Sequence, residues 1–136
     1  MDRITKMTFP EGYVCQHREN IMSLANMIGR KKPGLKAGDK GGYNWDDPEY
    51  VILEAGVTDD MCEVGLALGS YTKKSAAEVA AIVGKPEDWC HEQLMKFAVY
   101  GGCFVNNING VDMFWTETWI PGTMEMIINN LDVVKQ

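Results

Sequence analysis

From Ser75 to Trp115 the chain reads SAAEVAAIVGKPEDWCHEQLMKFAVYGGCFVNNINGVDMFW. The punctuation of that stretch decides the fold. Ser75 and Glu78 stand at capping-box spacing, where each side chain satisfies the other residue's backbone N–H, so a short helix opens at Ala76. Gly84-Lys85-Pro86 turns the chain, and a longer helix follows from Pro86 to about Tyr100. Within it Cys90, Leu94, Phe97 and Ala98 fall at i, i+4, i+7 and i+8, which makes one buried stripe. Gly101-Gly102 releases the chain. Cys103-Phe104-Val105 and the run Val111 to Trp115 then flank Asn109-Gly110, a pair that tolerates the positive φ angles of a tight hairpin turn. Helix, turn, helix and hairpin in that order make a winged helix-turn-helix. The expected fold class is therefore mainly α with a small antiparallel β-hairpin as the wing.

Such domains usually dock on DNA through the second helix and the wing. Here the charges are wrong for it. The second helix carries Glu87, Asp88 and Glu92 against Lys96 alone, and no Lys or Arg occurs between Lys96 and Lys135. The net charge of −6 also hides an asymmetry: residues 1–40 hold eight Lys or Arg and four Asp or Glu, and the remaining 96 hold five and fifteen. An acidic body disfavours a polyanionic partner, because binding to a nucleic-acid backbone depends on neutralising phosphates. If any surface meets an anion, it is the basic stretch near the N-terminus.

Working outward, the chain is expected to be one domain of 136 residues, enough for a single core. Residues 1–12 read as an arm, 13–29 as a helix, 30–56 as a loop-rich segment, 57–120 as the helix-turn-helix and wing, and 121–136 as a C-terminal helix. Val14, Ile21, Leu24 and Ile28 recur at helical spacing in the first helix, which Gly29 stops. Pro33 to Pro48, with Gly34, Gly38, Gly41 and Gly42, lacks apolar periodicity and reads as a mobile loop. Thr58-Asp59-Asp60 caps a helix whose Met61, Val64 and Leu68 share a face. Pro121-Gly122 precedes a last helix with Met124, Ile127, Ile128 and Leu131 on one side, and the ending reads as a module boundary. Leu94, Phe97, Val64, Leu68, Ile82 and Ile127 are expected to share the core.

Chemistry-bearing residues are sparse. Cys15-Gln16-His17 and Cys90-His91 offer zinc-type ligands, but neighbours on a helix point about 100° apart, so Cys90 belongs to the core face and His91 to the outer one. No ligand spacing brings Cys15, Cys62, Cys90 and Cys103 together, and buried thiols behave as small hydrophobes. The four glycines of the 33–48 loop do not follow a strand-then-helix pattern, so they make no phosphate loop. Asp46-Asp47 and Asp59-Asp60 read as turn and cap residues, and Trp115 and Trp119 as packing at a strand end. No enzyme signature, metal site or cofactor site follows from the residues. Met1-Asp2-Arg3 is followed by no apolar signal segment and no run reaches membrane-spanning length, so reduced thiols in the cytoplasm are expected.

Several segments together resemble a known family. They are Arg18-Glu19-Asn20-Ile21-Met22 through Ala25-Asn26-Met27-Ile28-Gly29, Lys31-Lys32-Pro33-Gly34, Val57-Thr58-Asp59-Asp60-Met61 through Gly65-Leu66-Ala67-Leu68, and Pro121-Gly122-Thr123-Met124-Glu125. They are similar to the winged-helix N-terminal domain of iron–sulfur, ferredoxin-type oxidoreductase-like proteins of anaerobic microbes. In that family the redox chemistry lies in downstream cysteine clusters of the iron–sulfur type, which this sequence lacks. The resemblance therefore implies a tethered accessory module. A similarity at the level of fold alone extends to MarR-like transcriptional regulators, whose winged helix binds DNA as a dimer.

Two functions are thus expected to compete. One is a non-catalytic module that packs against another domain or subunit, a second copy of itself included, with no membrane and no nucleic acid as partner. The other is a MarR-like DNA-binding regulator, which would assemble phosphate contacts from Arg30, Lys31, Lys32, Lys73, Lys74 and Lys85.

Overall fold

The computed structural model describes residues 14–118. The expected C-terminal helix over 121–136, with Ile127, and the arm over 1–12 lie outside them, as does Trp119. Among the described residues there are five helices: α1 (Glu19–Ile28), α2 (Pro48–Gly56), α3 (Asp59–Leu68), α4 (Ala76–Val83) and α5 (Glu87–Tyr100). Three short strands, β1 (Lys74–Ser75), β2 (Phe104–Ile108) and β3 (Val111–Trp115), form one antiparallel sheet in the order β1-β3-β2. This mixed α/β order is compatible with a winged helix.

The local signals explain most of these elements. Thr58 Oγ1 accepts from Met61 N at 3.1 Å and starts α3. Both halves of the Ser75–Glu78 capping box form at the start of α4. Asn109 and Gly110 take φ values of 53° and 84°, the pair of positive angles that a hairpin turn of matching twist needs. Asn107 Oδ1 fastens that turn by accepting from Gly110 N at 3.1 Å. The register that results sets Asn107 opposite Asp112 and Ile108 opposite Val111.

The core lies where α1, α3 and α5 meet the sheet. Ile21, Leu24, Val64, Leu68, Leu94, Phe97 and Phe114 are all fully buried there. Ile82 is not among them, at 57% exposure. Helix α4 is apolar almost all round, and it buries Ala76 and Val79 instead.

Three expectations along the chain need correction. The first helix begins at Glu19, not near Tyr13, and Val14 is exposed at 75%. The backbone N–H groups of Gln16 and Arg18 donate to Glu54 Oε2 (3.1 Å) and Tyr50 Oη (3.0 Å), and His17 sits at φ 53°, outside the helical region. Tertiary hydrogen bonds thus replace the helix ladder. Next, the segment 30–56 is loop only as far as Asp47. Pro48 occupies the first turn of α2, where its missing N–H costs nothing. Tyr50, Val51, Ile52 and Leu53 are buried in succession, so α2 has no polar face that would reveal a helical period. The third correction is β1, a two-residue strand that escaped the pattern and pairs Lys74 with Phe114 and Ser75 with Met113.

The loop of residues 33–47 is held by its own polar groups and by Asn26 of α1. Asp39 Oδ2 accepts from Lys36 N at 2.7 Å, Asp47 Oδ2 from Asn44 N at 2.8 Å, and Asn26 Oδ1 from Tyr43 N at 3.1 Å. Tyr43 is buried by this arrangement. Among the described residues no helix is long and apolar enough to cross a membrane.

Candidate interaction surface

The outward side of α5 and the tip of the β2–β3 hairpin form the surface that the sequence singles out. Glu87, Asp88 and Glu92 are all exposed on α5. Their nearest cation on the helix is Lys96, whose Nζ stands 3.8 Å from Glu92 Oε1. Asp88 Oδ1 accepts from Trp89 N, and Glu87 lies beside it in the first turn, where helix N–H groups and the helix dipole favour negative charge. The three acids leave a negative outer face.

Beyond α5 the tip of the hairpin is uncharged. Asn106, Asn107, Asn109 and Gly110 are exposed, together with the apolar side chains of Ile108 and Val111. The helix and the hairpin are tied together by His91, whose Nε2 lies 2.9 Å from Asp112 Oδ2 and whose ring packs edge-on to Phe114. Asn107 Nδ2 donates to the other carboxylate oxygen of Asp112 at 3.0 Å. The hydrogen bonds from His91 and then Asn107 hold the Asp112 carboxyl below its usual range. The sequence reading did not single out Asp112. Its signal was present, since an Asn-Gly turn fixes which residue faces Asn107 across the hairpin.

Of the six basic residues of the DNA-binding alternative, Arg30, Lys31, Lys73, Lys74 and Lys85 are held by different partners. Arg30 donates to the carbonyl of Thr116 at 2.8 Å and to its hydroxyl at 3.2 Å, with its guanidinium over the Tyr71 ring. Lys74 Nζ donates to Leu68 O and Thr72 Oγ1. Lys73 lies over the Trp115 ring, so these three cations surround the C-terminal end of β3. Lys85 sits elsewhere, paired with Glu63 of α3 at 2.6 Å and over Trp89. That hydrogen bond raises its pKa and keeps it charged. Lys31 rests on the Tyr43 ring, and Lys32 is exposed.

The two Cys/His pairs separate as well. Cys90 is buried in the core and His91 faces Asp112, whereas Cys15 approaches the Glu54 carboxylate and His17 packs edge-on to Trp45. Glu54 also accepts from Tyr50 Oη, a buried pair that anchors residues 15–18 to α2. Burial pushes the Tyr50 hydroxyl upward and so keeps it a donor. Among the described residues no group of three or more His, Cys, Asp or Glu could hold a metal ion.

No protein-family model, curated protein or solved structure matches the chain.

Proposed function

We propose that this chain is a non-catalytic winged-helix module, cytoplasmic, that packs against another domain or subunit through the outer face of α5 and the wing tip. The observation that carries the reading is the charge on that surface: Glu87, Asp88 and Glu92 stand where a DNA-reading helix would meet phosphates, and the tip offers Ile108 and Val111 instead of a cation. An exposed apolar tip beside these acids suits a protein surface with a basic rim. The segments similar to the N-terminal domain of iron–sulfur oxidoreductase-like proteins support the same role, with any redox chemistry belonging to a separate cysteine-rich part.

Binding to duplex DNA separates this reading from the MarR-like regulator. Titration of the chain against a random-sequence duplex pool across a salt series should give no sub-micromolar binding near about 150 mM salt, because few free cations can displace counterions. Sub-micromolar binding there, weakening steeply as salt rises, would overturn the accessory-module reading in favour of the regulator.

A further inference from the structure

A cleft of about 220 Å³ opens between α1, the loop that follows it and α3. Its lining is chemically one-sided. Among the described residues Lys31 and Lys32 border it and no Asp or Glu does, in a chain whose net charge is −6. The side chains of Met27, Leu35 and Leu66 supply an apolar wall.

Asn26 also lines the cleft and is only 4% exposed. Its Oδ1 is committed to Tyr43 N, which fixes the orientation of the amide, and its Nδ2 has no hydrogen-bond partner among the described residues. A buried donor without an acceptor is costly, so native structures keep few of them. The C-terminal end of α1 is near, and bare helix carbonyls would repel an anion. Those carbonyls are already occupied: Ala25 O accepts from Gly29 N, Asn26 O from Lys31 N, and Met27 O from Arg30 N and the Ser70 hydroxyl.

We infer that this cleft binds a small organic carboxylate with a short apolar stem, its charge met by Lys31, Lys32 and the Asn26 amide and its stem by Met27, Leu35 and Leu66. The two cations and the orphaned donor select an anion. The apolar wall selects against inorganic phosphate, which has nothing to bury there. The volume equals roughly seven waters of the bulk liquid. It falls below the roughly 300–1,000 Å³ of pockets for drug-sized ligands, so the acid is a short one. This inference does not depend on the reading of α5 and the wing, which lie on other elements.

The test is an NMR titration of the chain with sodium hexanoate, with 1-hexanol and inorganic phosphate as comparison ligands. Hexanoate should give saturable one-to-one shifts that include the Asn26 side-chain amide, with hexanol at least about tenfold weaker. Asn26→Asp keeps an acceptor for Tyr43 N but sets a like charge in the cleft, and it should abolish binding. Because a buried aspartate can also unfold the domain, the Lys31→Gln/Lys32→Gln variant at two exposed positions provides the second measure. It should remain folded, with a cooperative melt, and weaken hexanoate by at least about tenfold. Absence of saturable shifts, equal binding of hexanol, or tighter binding of phosphate would each overturn the assignment.

Discussion

The Tyr100 ring lies against Gly56, and its hydroxyl donates to the backbone carbonyl of Ile52 at 2.6 Å. The last turn of α5 is thereby latched to the last turns of α2, two elements far apart in sequence. A Cβ at Gly56 would overlap the ring. Gly56→Ala is therefore expected to destabilise the domain by about 1–3 kcal/mol, the usual cost of overpacking, despite the better helix propensity of alanine. Tyr100→Phe keeps the packing and loses the hydrogen bond to Ile52, for about 0.5–1.5 kcal/mol. Urea denaturation of both variants checks the pair. A Gly56→Ala protein as stable as wild type would mean that the ring does not rest there.

Core truncations should contrast with an apolar residue that escapes the core. Leu94 and Phe97 are fully buried, and Phe97 also lies against Gly65 and Gly102. Leu94→Ala and Phe97→Ala should each cost about 2–5 kcal/mol. Ile82 is mostly exposed, so Ile82→Ala should stay within about 0.5 kcal/mol of wild type. Denaturant midpoints of the three variants measure this, and a large loss at Ile82 would put α4 the other way round.

The same contrast marks what the sequence could and could not reveal. Elements announced by local chemistry were legible: the Thr58 cap, the Ser75–Glu78 box and the Asn109-Gly110 turn act through neighbouring residues, so spacing alone exposes them. Helix α2 was hidden because it is buried on nearly every side and shows no polar face. Ile82 was misplaced for a related reason, since a nearly all-apolar α4 cannot tell by periodicity which side it buries. The start of α1 was misread because Tyr50 and Glu54, more than thirty residues away, capture the backbone of residues 16–18. Of the surface, the acids of α5 were legible by charge. The His91–Asp112 tie and the cleft at Asn26 were not, since each joins separate elements.

Thiol reactivity should divide the four cysteines. Burial pushes the thiols of Cys62 and Cys103 up to about 12, and burial followed by the Glu63 charge raises that of Cys90. Alkylation proceeds through the thiolate, of which a group at about 12 holds roughly one part in ten thousand at pH 8. Cys15 is only partly buried. Brief treatment of the native protein with iodoacetamide should modify Cys15 first and leave the other three intact until denaturant is added. Peptide mass spectrometry reads the outcome, and early modification of Cys62 or Cys103 would show that the core opens on the labelling timescale.

The tie between α5 and the β2–β3 hairpin should make hairpin stability depend on acid. Asp112 faces His91 and Asn107, and the hydrogen bonds from both hold its carboxyl below the usual range. A carboxyl with a lowered folded-state pKa stabilises the fold at every pH above its unfolded value of about 3.9. That contribution fades as pH falls through the lower folded value, because the protonated acid no longer favours the paired state. Asp112→Asn removes the dependence at its source. Wild type should therefore melt above the Asp112→Asn protein at pH 6, with the gap narrowing once pH drops below about 4. Thermal melts of both proteins at pH 6, 5, 4 and 3 measure the gap. A gap that holds constant down to pH 3 would show that Asp112 acts through shape and not through its charge.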